Sequence, residues 1–126
     1  MISVKSKVRI QSYKDLIVWQ KAHKLAIRIL ELSRRANRNK ENFFIWSQIL
    51  RATFSVPANI VEGYYSHRGK NYLSKLEIAR GEAGETEYWL FVLFEIADLD
   101  EMTYNVLVGE CREVILMLSA IIKKIS

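Results

Sequence analysis

Apolar side chains recur at alternating spacings of three and four along almost all of this 126-residue chain, the period of a helix with one buried face. Val18, Ala22, Leu25, Ile29, Leu32 and Ala36, widened by Trp19, Ala26 and Leu30, predict a first helix from Tyr13–Asp15 to about Asn37. A second runs from about Glu41 to Tyr65 on a seam of Phe43, Trp46, Leu50, Phe54, Pro57 and Ile60. The third has the cleanest period, Tyr72, Leu76, Ala79, Ala83, Thr86, Leu90, Leu93 and Ala97, and the fourth runs from Tyr104 through Leu107, Cys111, Val114 and Leu118 to Ile125. Polar breaks at Asn37–Asn42, His67–Lys70 and Asp98–Thr103 separate them. Connections this short make successive helices antiparallel, so the expected fold is all-α, an up-down-up-down four-helix bundle over residues 13–126, preceded by a basic arm at 1–12.

Two stretches exceed what a single core needs. In the second helix Pro57, the chain's one proline, removes a backbone donor and crowds the preceding turn, which predicts a kink. Around it lie Gln48, Arg51, Ser55, Asn59 and Glu62, read as a structural polar network because buried polar groups need partners. In the third helix Tyr88, Trp89, Phe91, Val92 and Phe94 make the surface apolar on every side, which predicts contact with another subunit. Gly81 and Gly84, beside Ala79 and Ala83, predict the close approach of another helix.

Charge sharpens this picture. The net charge is +5, yet residues 1–40 carry eleven Lys/Arg against Asp15 and Glu31, while nine carboxylates between Glu82 and Glu113 face Arg112 alone. Such separation suits a polyanion partner or complementary packing between copies. On the first helix Lys14, Lys21, Lys24, Arg28 and Arg35 fall within an arc of about 80°, a ridge roughly 30 Å long. Arg34, Arg38 and Lys40 crowd its far end, and Arg68 and Lys70 lie in the next break. This row reads either as a solvated face or as a surface for phosphates of RNA or DNA, with sequence-tolerant binding because no base-reading motif accompanies it.

The sequence offers little else for chemistry. The residues three before His23 and His67 are Gln20 and Tyr64, not the glutamates of a di-iron bundle, and there is no paired-cysteine zinc pattern or Gly-rich phosphate loop. No cofactor, metal or catalytic residue is expected, and the reading is of a non-enzyme. Cys111, the single cysteine, sits on a core seam as a small hydrophobe. The N-terminal stretch lacks a signal-type apolar region and the longest apolar run, Tyr88–Phe94, is too short to span a bilayer, so a cytoplasmic protein with no membrane partner is expected.

Three stretches carry a family resemblance: DLIVWQKA (Asp15–Ala22), QILRATFSVPANIVEG (Gln48–Gly63) and IARGEAGETE (Ile78–Glu87). Together they resemble the bacterial four-helix bundle proteins encoded in intervening sequences of 23S rRNA genes. The middle block matches that pattern at Gln48, Arg51, Ala52, Ser55, Pro57, Asn59, Ile60, Glu62 and Gly63, while Glu82 stands where the pattern has serine. The resemblance implies a kinked bundle that assembles into a ring, a homopentamer. It extends to the accessory variability determinants of diversity-generating retroelements, whose pentamers bind nucleic acid and a reverse transcriptase. Two functions follow as expectations: a homo-oligomeric nucleic-acid binder, or an accessory subunit of a reverse transcriptase.

Overall fold

The computed structural model describes residues 9–37, 39–66 and 69–126. Among them the chain is all-α, with helices α1 (Ile17–Arg35), α2 (Lys40–Ser66), α3 (Gly69–Glu95) and α4 (Glu101–Ile125). A short 3-10 helix at Tyr13–Asp15 precedes α1. It is closed by a capping box in which Ser12 accepts from the Lys14 amide at 3.1 Å and Asp15 accepts from the Ser12 amide at 3.1 Å. Leu16 is extended, so the first helix begins after this turn and not within it.

Local chemistry fixes the other ends. Asn39 accepts from the amides of Glu41 and Asn42, and Asn42 accepts from the Asn39 amide at 2.7 Å, a reciprocal cap that starts α2. The helix then continues through Pro57 to Ser66. Beyond α3, Ala97 adopts φ 65°, and the Asp98 amide donates back to the Leu93 carbonyl at 2.8 Å, satisfying a helix-end acceptor. Asp100 caps α4 by accepting from the Thr103 amide at 2.7 Å. The fourth helix thus starts three residues before Tyr104, because the acids of the turn form its first turn.

These helices make a four-helix bundle in which α1 packs on α2 and α4, and α3 packs on the same two neighbours. The core joins Val18, Leu25 and Ile29 of α1 to Trp46, Ile49 and Ile60 of α2, Leu76, Leu90 and Leu93 of α3, and Leu107 and Leu118 of α4. Each such side chain contributes about 1.5–3 kcal/mol when fully removed from water.

On α3 the buried positions are Leu76, Ala79, Ala83, Thr86, Leu90 and Leu93, six of the eight periodic positions of the sequence, with Tyr72 half-buried. Ala97 lies outside that helix and is exposed. On α2 the seam is shifted. The buried set runs Asn42, Trp46, Ile49, Thr53, Val56, Ile60 and Gly63, with Ala52 and Pro57 beside it, while Phe43 is 59% exposed and Leu50 and Phe54 are half-buried. Gly63 is where α3 comes close: a Cβ there would meet the Tyr72 ring at 3.3 Å. Gly81 and Gly84 are exposed with nothing within 4 Å of a built Cβ, so among the described residues no helix of this chain approaches them.

Candidate nucleic-acid interface

The cation row of α1 meets acids that its own helix does not supply. Lys21 pairs with Glu113 at 3.1 Å and Arg28 with Glu110 at 2.6 Å, both carboxylates coming from α4. Lys14 and Lys24 are exposed, as are Arg34 and Arg35 in the last turn of α1 and Lys40 at the start of α2. None of these five makes an ion pair among the described residues. Arg38 and Arg68, and residues 1–8 of the expected arm, lie outside the described residues. Lys70 is exposed at the start of α3, separated from Lys40 by the length of α2, about 40 Å. The structure therefore gathers Arg34, Arg35 and Lys40 at one corner and leaves Lys70 apart from them.

Five of the nine carboxylates between Glu82 and Glu113 find a cation within the chain, and for two of them it lies on α1. Arg51 of α2 bonds Glu82 at 3.2 Å and also reaches Glu85, Lys75 pairs with Glu62 at 2.9 Å, and Arg112 pairs with Glu87 at 2.8 Å. The five polar residues of α2 consequently do not converge. Arg51 and Glu62 turn to different partners on α3, the Asn59 side-chain Nδ2 donates to the Ser55 carbonyl at 2.8 Å within α2, and Gln48 is half-buried. The Trp89 indole donates to Glu85 at 3.0 Å, and with Arg51 it holds that carboxyl below its usual range. Hydrogen bonding to Glu85 in turn raises the Arg51 guanidinium above its ordinary value.

The apolar end of α3 divides between inward and outward contacts. Trp89 packs edge-on against Phe44 with centroids 6.1 Å apart, and Phe94 stacks on Tyr104 at 4.6 Å. Val92 is half-buried, while Tyr88, Phe91, Phe43 and Phe44 are exposed on the surface.

One feature of the surface escaped the sequence reading. Trp19 stacks on His23, with centroids 4.7 Å apart and planes within 9°, and Tyr13 packs on Trp19 in a T-shaped contact with centroids 5.0 Å apart. The i,i+4 spacing of Trp19 and His23 was a visible signal for that pair. An open groove of about 510 Å³ runs past them along α1, lined also by Lys24, Ile27, Arg28 and Glu31.

Among the described residues no group of three or more His, Cys, Asp or Glu is placed to hold a metal ion, and no helix is long and apolar enough to cross a membrane. Cys111 is buried with its Sγ 3.1 Å from the Ala83 carbonyl, and burial pushes the thiol up to about 12. It is no nucleophile in this state.

Fold and surface together define a small four-helix bundle whose charged groups, and whose aromatic rings other than Trp46, are at least partly exposed among the described residues. The chain belongs to the family of 23S rRNA-intervening sequence proteins, which it matches over residues 14–120. It is also similar to a crystallised protein of unknown function from the S23 ribosomal protein family of Bacteroides thetaiotaomicron. The two are 34% identical with a TM-score of 0.80, over 87% of this chain and 98% of that one. Neither description names an enzymatic activity. No curated protein matches the chain.

Proposed function

We propose that this protein is a non-enzymatic, cytoplasmic homo-oligomer that binds RNA or DNA through electrostatic contacts with little sequence preference. The observation that carries the reading is the corner formed by Arg34, Arg35 and Lys40, three exposed cations without ion pairs among the described residues, whereas Lys21 and Arg28 further back on α1 are held by acids of α4. Lys24 and Lys14 extend that corner along α1. In this reading the bundle runs up-down-up-down. The order of contacts supports it: Arg51 meets Glu82 while Glu62 meets Lys75, and Lys21 meets Glu113 while Arg28 meets Glu110. α2 bends at Pro57, where the Thr53 carbonyl has no amide to receive. Copies join through Tyr88, Phe91 and their neighbours, whose exposure supports a covered face, in a ring of five as the family resemblance implies.

The test is solution mass by light scattering, with and without a mixed-sequence 20-nucleotide strand, at low and high salt. The expected result is an oligomer that gains mass at low salt and releases the strand at high salt. Its affinity should fall with a log–log salt slope of about −2 per site if three phosphates are neutralised. Arg34→Glu with Arg35→Glu and Lys40→Glu should abolish that gain. An oligomer indifferent to nucleic acid would overturn the reading in favour of a protein partner such as a reverse transcriptase.

A further inference from the structure

We infer that the groove along α1 takes one unstacked base of a single-stranded nucleic acid, with Trp19 and His23 as its stacking platform and Lys24 beside the adjoining phosphate. The inference rests on the nucleic-acid reading above and adds what the charges alone do not specify, the strandedness of the ligand.

The platform is local in origin. Trp19 and His23 are one helical turn apart, so their side chains meet on one face, and their planes lie within 9° of each other. Tyr13, from the 3-10 helix, packs on Trp19 with the ring planes at 74°, and Tyr65 of α2 continues the contact from Tyr13 at 6.3 Å. Packed against both His23 and Tyr13, the indole loses little freedom when a further ring joins the cluster, which lowers the cost of binding. The groove is an open concavity of about 510 Å³ whose lining comes from α1 alone, so a base would lie on it with one side to solvent.

Charge gives the groove its direction. Lys24 lines it and has no ion pair among the described residues, Arg28 lines it while held by Glu110, and Glu31 closes the end nearest the α1 C-terminus. A phosphate is favoured at Lys24 and opposed at Glu31, so the backbone would pass on the Lys24 side. Duplex nucleic acid offers phosphates but keeps its base faces inside the stack, whereas a single strand offers both, and aromatic platforms beside cations bind single strands with little regard to sequence.

Fluorescence anisotropy with three fluorescein-labelled 20-mers tests this on the full chain: a mixed-sequence single strand, its duplex, and an abasic strand of equal charge. The expected order is single strand first, with Trp19→Ala and His23→Ala each weakening it by about five- to a hundredfold, the range of one stacked base, and leaving the abasic strand unchanged. Trp19→Phe should keep most of the affinity and lose the quenching of indole emission that stacking produces. His23→Ala and Trp19→Phe keep the experiment decisive if Trp19→Ala unfolds. Equal binding of all three ligands, untouched by these variants, would overturn the platform and leave the electrostatic reading standing. A change in solution mass without a change in affinity would overturn it in favour of contact between copies. Loss of binding to every ligand in the unmodified protein would overturn both.

Discussion

Arg28 reaches across from α1 to Glu110 of α4 at 2.6 Å, and three residues further along α4 Glu113 holds Lys21 at 3.1 Å. Two of the five cations in the α1 row are thus matched by acids eighty or more positions away in the chain.

Removing those acids should therefore strengthen nucleic-acid binding. Glu110→Gln with Glu113→Gln frees two cations on the proposed surface, so affinity should rise several-fold at low salt. The salt slope should steepen by about 1.4, two more phosphates at roughly 0.7 each for a single strand. Stability should fall by no more than about 1 kcal/mol per pair, since both pairs are partly open to solvent. Unchanged affinity and slope in a titration over salt would show that this face of α1 does not meet phosphates.

Asp98 should prove the most sensitive loop position. Its Oδ2 accepts from the Trp46 indole at 3.0 Å and from the Asn42 amide at 2.8 Å, and both donors sit on residues almost closed to water. Asp98→Ala strands two buried donors and should cost about 2–4 kcal/mol, while Asp98→Asn keeps an acceptor and should cost roughly half that. Urea midpoints read at constant slope would check it, and equal losses for the two variants would deny the role of these hydrogen bonds.

How much of this was legible in the sequence depended on what each pattern needed to know. The α3 seam was read residue by residue because its six buried positions are apolar or small at strict spacing. On α2 the expected seam holds at Trp46, Pro57 and Ile60 and is displaced by one position at Phe43, Leu50 and Phe54, where Asn42, Ile49 and Thr53 are buried instead, because large apolar side chains outweigh polar or small ones in a pattern count. Asn42 is buried through its bonds to Asn39 and Asp98, and Gly63 through the approach of Tyr72, neither of which hydropathy records. The cation row of α1 was visible, but its pairing with α4 depends on which helices become neighbours. The groove beside Trp19 is lined from α1 alone, so its spacing is present in the sequence, and only the contact of Tyr13 with Tyr65 needs the fold. The family was legible because its blocks cluster in three short stretches.

Ala97 should accept glycine with a gain. It occupies the left-handed region at φ 65°, where an L-residue with a Cβ is disfavoured by about 1–2 kcal/mol. Glycine removes that strain and gives back about 0.5–1 kcal/mol to the unfolded chain, leaving a net stabilisation near 0.5–1 kcal/mol and a rise in Tm of about 2–4 °C. Because Ala97 is exposed, no packing is altered. A lower Tm for Ala97→Gly in a thermal scan would contradict this account of the α3 end.

Cys111 makes stability depend on pH in the alkaline range. Burial is the main cause that lifts its thiol from an ordinary 9.0 to about 12, and the nearby Glu87 charge adds to it. Above pH 9 the unfolded chain releases this proton while the folded chain keeps it, so the unfolded state is favoured increasingly until about pH 12. The thiol's contribution is therefore complete below pH 9 and should be smaller by about 1.4 kcal/mol at pH 10. Cys111→Ala supplies the comparison, since the two proteins differ only in this side chain. The gap in unfolding free energy between the two should narrow by that amount from pH 7 to pH 10. A thiol reagent at pH 8 should modify the native protein far more slowly than the urea-unfolded chain. A native protein labelled as fast as the unfolded one, or a gap that stays constant with pH, would show that the thiol is not sealed between α3 and α4.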